Sequence, residues 1–345
     1  MKIAVVLFNL GGPDSLESVE LFLRNLFSDP AILPLPEWLR RPVAWMIAKR
    51  RAPVAQAIYR EIGGRSPLLQ ETSAQATALE QALARRGAAA RTFIAMRAWK
   101  PMSDETVRSV LAYEPALVVL LPLYPQYSTA TSGSSLLAWQ QASRRGGLAV
   151  PHKRVCCYPW GSGFIAALKE LLEDALSRRK PGLSYRVLFS AHGLPQRTIS
   201  GGDPYQWQVE RTVDAILRSH GAGDLDWRIS YQSRVGPLQW LEPATDAEIR
   251  QAGAEGKGLV VMPVAFVSEH SETLVELDIE YARLAKEAGV PDYIRVATAG
   301  TSERFIDGLA DLVLKATTAA EPITCGNGRI CPEHLGRCGL GGAQA

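Results

Sequence analysis

Along this chain, short unbroken apolar runs alternate with longer stretches in which apolar side chains recur every three or four positions. Ile3–Phe8, Arg91–Met96, Leu117–Leu121, Val155–Tyr158, Arg186–Phe189, Arg228–Tyr231, Leu259–Val264 and Ile294–Ala297 read as buried strands. Ala74–Arg86, Ser103–Ala112, Phe164–Arg178, Tyr205–His220 and Glu272–Ala288 carry the helical period between them. This alternation predicts an α/β protein with parallel sheets, since a parallel strand is reached only through a crossover, and crossovers are right-handed.

A weak internal echo runs through the pattern. VVLFNLGGP (5–13) is like RVLFSAHGLP (186–195), and VVLLPLYPQYS (118–128) is like LVVMPVAFVSEHS (259–271), in the same order. Two similar halves with a cleft between them are expected, although buried parallel strands look alike in any protein. Ligands of such folds gather beyond the carboxyl ends of the strands, where the echoed loops lie.

Residues 34–53, PLPEWLRRPVAWMIAKRRAP, break the pattern by mixing Trp38, Leu39, Trp45, Met46 and Ile47 with Arg40, Arg41, Lys49, Arg50 and Arg51. That mixture suits the surface of an anionic bilayer or a large flat acidic ligand. It equally suits a helix packed on its own domain with its arginines snorkelling.

With 345 residues, 47% apolar and 21% charged, the chain is long enough for two folded domains. Its net charge of +3 and its lack of any nucleic-acid motif argue against a nucleic-acid partner. No run approaches the ~20 apolar residues of a membrane span, and the first strand is too short for a leader, so an intracellular, cytoplasmic protein is expected. Five cysteines do not make a disulfide scaffold. Cys156 and Cys157 are adjacent, and Cys325, Cys331 and Cys338 crowd the last stretch.

Candidate chemistry starts at RVLFSAHGLP, an apolar strand that ends on His192. A second strand, ending near Phe266, leads through His270 into a helix bearing Glu272, Glu276 and Glu280. Four-residue spacing puts those carboxylates on one face, where like charges cost a few tenths of a kcal/mol per pair, so helix stability does not explain them. A solvated acidic face is the plain alternative. A His and a Glu meeting across a cleft bind a divalent cation, shuttle protons, or do both. The chain has no GxGxxG, P-loop, GxSxG, HExxH or paired CxxC, which argues against nucleotide, serine-hydrolase and zinc-hydrolase chemistry.

Eight blocks resemble the ferrochelatase family in family order: NLGGP (9–13), AKRRAP (48–53), YREIGGRSPL (59–68), YPQYSTATSGSS (124–135), LFSAHGLP (188–195), GDPY (202–205), YQSRVGPLQWLEP (231–243) and PVAFVSEHSETLVELDIEY (263–281). The resemblance implies two Rossmann-like domains with a cleft between them, divided here as 1–150 with the lip segment 34–53, 151–320 with His192 and Glu272, and a cysteine-bearing tail, 321–345. It implies insertion of Fe2+ into protoporphyrin IX, the last step of haem synthesis, with a chelatase for coproporphyrin or another tetrapyrrole, or a non-catalytic porphyrin-binding or redox-sensing protein, as alternatives. By the same resemblance His192 and Glu272 are catalytic and meet the metal with Glu276, and His270 and Asp278 stand nearby. Arg51, Tyr59, Ser66, Arg97, Tyr124, Phe266 and Trp240 match porphyrin-binding positions, and the lip can touch the inner face of the cell membrane.

The tail CGNGRICPEHLGRC (325–338) cannot pack a core of its own, so a metal centre would fix it to the domain. Some ferrochelatases carry a [2Fe–2S] cluster on C-terminal cysteines plus one internal cysteine. The animal-type internal position reads Thr129 here, which leaves Cys156 or Cys157 to join Cys325, Cys331 and Cys338. Neighbours in a strand point to opposite faces, so one of the two is expected to bind, with Cys157 preferred. A zinc site with His334, a tail disulfide and uncombined thiols are the alternatives.

Overall fold

The computed structural model describes residues 1–340 apart from 222, 235 and 237. Among the described residues nine strands form two sheets: β1 (Ile3–Asn9), β2 (Ala90–Met96), β3 (Leu117–Pro122), β4 (His152–Cys157), β5 (Tyr185–His192), β6 (Trp227–Gln232), β7 (Gly258–Pro263), β8 (Tyr293–Arg295) and β9 (Ile323–Thr324). Their orders are β2-β1-β3-β4-β9 and β6-β5-β7-β8, with every pairing parallel. β1, β3 and β7 are buried along their whole length, as helices covering both faces require.

Apart from β9, each sheet reads second-first-third-fourth in its own strands, which is the duplication the sequence echo suggests. The register corrects its alignment. Phe8 pairs with Pro122 and Ser190 with Pro263. The Leu123 N–H donates to the Phe8 carbonyl and the Val264 N–H to the Ser190 carbonyl, both at 2.9 Å. Phe8 is therefore equivalent to Ser190, one residue away from the match of the two Leu-Phe pairs. The repeat extends to loops: the Met96 N–H donates to Pro101 (2.7 Å) as the Tyr231 N–H does to Pro243 (2.9 Å). A π-helical turn follows the third strand of each half, at Thr129–Gly133 and at Glu276–Tyr281.

The chain forms two compact units, Met1–Cys157 with Leu309–Ile330, and Tyr158–Gly308 with the chain from Cys331 onward. In the first, β9 pairs with β4 and brings the cysteine-bearing segment onto that sheet's edge. Also in the first, residues 37–61 form one helix, Glu37–Glu61. Its buried face is small, with Ala48, Ala52 and Tyr59 packed near Val19, Phe22 and Leu23. The large apolar residues point outward: Trp38 is 77% exposed, Trp45 47% and Met46 57%.

The expected single helix over 272–288 is three pieces: Ser271–Leu274, the π-turn Glu276–Tyr281 and Ala282–Glu287. The Glu280 N–H reaches back five residues to the Val275 carbonyl, at 2.9 Å. The wider turn breaks the four-residue carboxylate ladder, and Glu280 stands exposed while Glu272 and Glu276 are half-buried.

Candidate active site

His192 closes β5 because the two neighbouring strands stop at different heights. On one side pairing continues to His192 opposite Gln232, and the Gly193 N–H donates to the Gln232 carbonyl at 2.8 Å. On the other side it ends at Ser190 opposite Pro263. Glycine follows the histidine for lack of room: a Cβ at 193 would lie 2.9 Å from the Gln232 oxygen and 3.4 Å from the Trp240 ring.

The imidazole is held in one tautomer. Its Nδ1 lies 2.5 Å from the Gly193 carbonyl, so that nitrogen carries the hydrogen and donates it. In the neutral ring the lone pair is then on Nε2, which stands 3.6 Å from Oε1 of Glu272. Both side chains are about one-third exposed. His270 has the opposite tautomer, because its Nδ1 accepts the Glu272 N–H at 3.1 Å and caps the helix turn. Burial holds His270 below the usual imidazole range, so it is neutral at neutral pH. The Phe266 ring meets it edge-on at 4.6 Å.

Glu276 accepts four hydrogen bonds: Ser233 N–H (2.7 Å), Ser233 hydroxyl (2.5 Å), Gln232 amide (3.0 Å) and Tyr281 hydroxyl (3.0 Å). Ser233 adopts a positive φ of 64°, which turns both its donors on one carboxylate. Burial nevertheless raises Glu276 above the ordinary carboxylate range; Ser233 and Gln232 work against that, and the Glu272 charge adds to it. Gln232, wholly buried, links the parts: its carbonyl oxygen accepts from Ser190 (2.8 Å), and its amide also donates to the Glu272 main-chain carbonyl (2.8 Å). Asp278 faces away from this group and is gripped by Arg295 through two bonds of 2.6 Å, while Arg295 also holds Glu269 at 2.6 Å. Of the residues expected here from the sequence, His192, Glu272, Glu276, His270, Phe266 and Trp240 thus come together in the second unit. Gln232, Ser233, Tyr281 and Arg295 were not singled out, although Gln232 and Ser233 sit in the YQSRVGP block, of which 235 and 237 lie outside the described residues.

The first unit gathers the other expected residues in two groups. Gly12 approaches Ser66 so closely that a Cβ would lie 2.3 Å from its hydroxyl oxygen and 3.9 Å from the Tyr59 hydroxyl. Arg97 donates to Ser134 (2.6 Å) and pairs with the buried Asp29 (2.9 Å), which also bonds Ser134. Burial pushes the nearby Tyr124 phenol well above its ordinary range. Arg51 lies over the Phe27 ring at 5.6 Å.

The cysteines divide between the units. In the first, β9 sets Thr324 opposite Cys157, and the Cys325 N–H donates to the Cys157 carbonyl at 3.2 Å; Cys156 is buried one residue earlier. In the second, the buried Cys331 sulfur accepts the Gln208 amide at 3.1 Å, and Cys338 is also buried. Among the described residues, no three His, Cys, Asp or Glu side chains gather as a metal cage.

A doubly wound parallel α/β protein that aims an imidazole nitrogen at a carboxylate is equipped as an enzyme of metal and proton transfer. The ferrochelatase family model matches residues 2–317. Ferrochelatase of Phenylobacterium zucineum is 53% identical over 340 residues, covering 98% of each chain, and that of Pelagibacter ubique is 48% identical over 318 residues, covering 91% of each. The chain belongs to the ferrochelatase family, whose enzymes insert iron into porphyrin. Among solved structures, SirB from Bacillus subtilis with Fe3+ shares the fold, with a TM-score of 0.51 at 13% identity over 92% of this chain and 96% of that one.

Proposed function

We propose that this ferrochelatase takes protoporphyrin IX and ferrous iron and returns protohaem and two protons. The carrying observation is the His192 Nε2 lone pair, 3.6 Å from Glu272 and fixed in direction by Nδ1–H on Gly193. Insertion replaces two pyrrole N–H protons with one divalent ion, so it needs bases and a cation guide and no electrons. In this reading Nε2 accepts a pyrrole proton. The Glu272 carboxylate guides the ion and accepts the second proton. Glu276, which burial raises above the ordinary carboxylate range, passes protons on through Ser233 and Tyr281, whose hydroxyls it holds.

The first unit's residues fit the other needs of a flat dicarboxylate ligand. Arg51, Tyr59 and Ser66 supply a cation and hydroxyls for propionates, and Arg97 and Tyr124 a polar wall. The outward Trp38, Trp45 and Met46 with Arg41, Lys49 and Arg50 suit the anionic inner face of the cell membrane, beside a cytoplasmic body. Among the described residues no helix is long and apolar enough to cross a membrane.

Cys157, Cys325, Cys331 and Cys338 fit a [2Fe–2S] cluster by donor chemistry: thiolates are its ordinary ligands, the strand pairing sets Cys325 beside Cys157, and Gln208 offers an N–H to the Cys331 sulfur. When bound, the cluster would supply a structural tie for the tail and a redox-sensitive centre.

The test is anaerobic mixing of purified protein with protoporphyrin IX and Fe2+, followed through the porphyrin absorption bands. Collapse to a metalloporphyrin spectrum with the native protein and not with His192→Ala supports the reading. Porphyrin binding without metal insertion overturns it, and faster turnover of coproporphyrin reassigns the substrate.

A further inference from the structure

Five acids crowd residues 269–280: Glu269, Glu272, Glu276, Asp278 and Glu280. Their like charges repel, and the backbone that carries them is weak by itself. Ser271–Leu274 is a single helical turn, and the π-turn Glu276–Tyr281 is a form that helices adopt rarely. Such a stretch keeps Glu272 and Glu276 in place only if something outside it holds it.

The tie comes from β8, the edge strand beside β7. Tyr293 and Arg295 stand two apart on it and so share one face. The Tyr293 hydroxyl donates to the Leu277 carbonyl at 2.8 Å. Arg295 uses three nitrogens: Nε and Nη2 donate to the two oxygens of Asp278 and Nη1 to Glu269, all at 2.6 Å. Just past the strand, the Thr298 N–H donates to the same Glu269 oxygen at 3.0 Å. The Arg295 side chain is 15% exposed, so these charge-assisted bonds are shielded and hold more firmly than a surface pair. One guanidinium thus fastens both ends of the stretch, at the residue before His270 and at the second residue after Glu276. Between those ends His270 caps the turn, and the Thr273 hydroxyl donates to the His270 carbonyl at 3.0 Å.

We infer that Arg295 is a positioning residue for Glu272 and Glu276: by spanning Glu269 and Asp278 it sets the direction of the stretch on which both carboxylates stand. It also offsets two of the five charges while leaving Glu272 and Glu276 to the site. Lysine does not replace it, because a single nitrogen lacks the fork that spans two acids. The inference rests on the proposed roles of Glu272 and Glu276, and its substrate-free arm stands without them.

Arg295→Lys keeps the charge and loses the fork. The full-length variant, assayed well below its melting temperature, is expected to lose about tenfold in kcat, the weight of one charge-assisted hydrogen bond, with the KM for protoporphyrin IX within about twofold of native. Backbone hydrogen exchange should accelerate over 268–281 and stay native in β5 and β6. Asp278→Asn weakens the same fork, so adding Arg295→Lys to it should cost less than Arg295→Lys costs alone. Native kcat in Arg295→Lys overturns the inference, as do losses that multiply independently in the double variant. Faster exchange throughout the second unit marks a folding role and overturns it too. Should Arg295→Lys not fold, Asp278→Asn decides: a lower kcat with faster exchange confined to 275–281 supports the inference, and a native value of either overturns it. If native protein inserts no metal, the function proposed above fails while the exchange arm still judges Arg295.

Discussion

Nε2 of His192 faces Oε1 of Glu272 across 3.6 Å, and the hydrogen on the far side of the ring is committed to the Gly193 carbonyl. That distance exceeds a good hydrogen bond, so neither group is spent on the other. A base and a carboxylate left this way are available to a third party between or beside them. The surrounding bonds preserve the arrangement, since Gln232 joins the strand end to the helix turn that carries both carboxylates.

Separate removal of the two partners should therefore separate binding from chemistry. His192→Ala is expected to lower the rate of iron insertion by about 10²–10⁴, the range for loss of a general base, with porphyrin affinity within about threefold of native. Glu272→Gln keeps the shape and should give a comparable loss. Stopped-flow absorbance for insertion and fluorescence quenching for binding measure the two quantities. Near-native insertion in either variant would remove that residue from the mechanism.

Gln232→Met tests the linking amide. The substitution conserves volume but leaves Ser190 without its acceptor and Glu276 without one donor, both in buried surroundings. Unfolding free energy should drop by about 1–3 kcal/mol. Insertion should slow because the Glu272 carbonyl loses its tie to β6. Denaturant melts with matched kinetics check this, and unchanged stability would show that another group takes over the bonds.

Much of this fold is legible in the amino-acid sequence. Strands buried on both faces are written as apolar runs, so β1, β3, β5 and β7 lie where the pattern puts them. His192 stood out because an imidazole ended such a run. The π-turn did not, because it depends on Glu276 meeting Ser233, Gln232 and Tyr281, three partners that only the fold brings near. β9 has two residues and no period to detect. Gln232 hides for a related reason: one polar group inside a strand looks ordinary until its bonds are seen.

The adjacent cysteines give a clean comparison for the tail. Cys157→Ser should abolish tightly bound iron and acid-labile sulfide in anaerobically purified protein, while Cys156→Ser should keep both, since Cys157 is the one opposite Thr324, with its main-chain carbonyl accepting the Cys325 N–H. Metal and sulfide analysis, with electron paramagnetic resonance of the reduced protein, reads the outcome. Native protein without sulfide would end the cluster proposal.

The outward face of Glu37–Glu61 predicts selective lipid binding. Trp45 and Met46 expose about half their surface and touch little of the core, so replacing both by Ser should spare the fold. Each buries about 1.5–3 kcal/mol of apolar side chain if the helix enters a bilayer, so the double variant should bind anionic vesicles at least about tenfold more weakly. Co-sedimentation with anionic and with zwitterionic vesicles distinguishes this from general stickiness. Equal binding of native and variant protein would discard the membrane role.

The strand that ends in His192 begins in a charge cluster, and that end should fail first in acid. Arg186, 2% exposed on β5, pairs with Asp226 (3.1 Å) and Glu255 (2.9 Å), and Lys257 pairs with both carboxylates at 2.7 Å. Hydrogen bonds from Lys257, then Arg186 and Gln251, hold the Glu255 carboxyl at about 2, against an ordinary 4.5. A folded-state pKa below the unfolded one adds stability that is complete above the unfolded value and is lost as pH falls through the folded one. Here the window runs from pH 4.5 down towards 2. Lys257→Ala removes the first of those donors, so its melting temperature should lie below native above about pH 5 and converge on it as the carboxylates protonate. Calorimetry across that range gives the answer. A gap that persists undiminished in acid would mean that Lys257 acts through its aliphatic stem and not through the carboxylates that hold Arg186 at the root of β5.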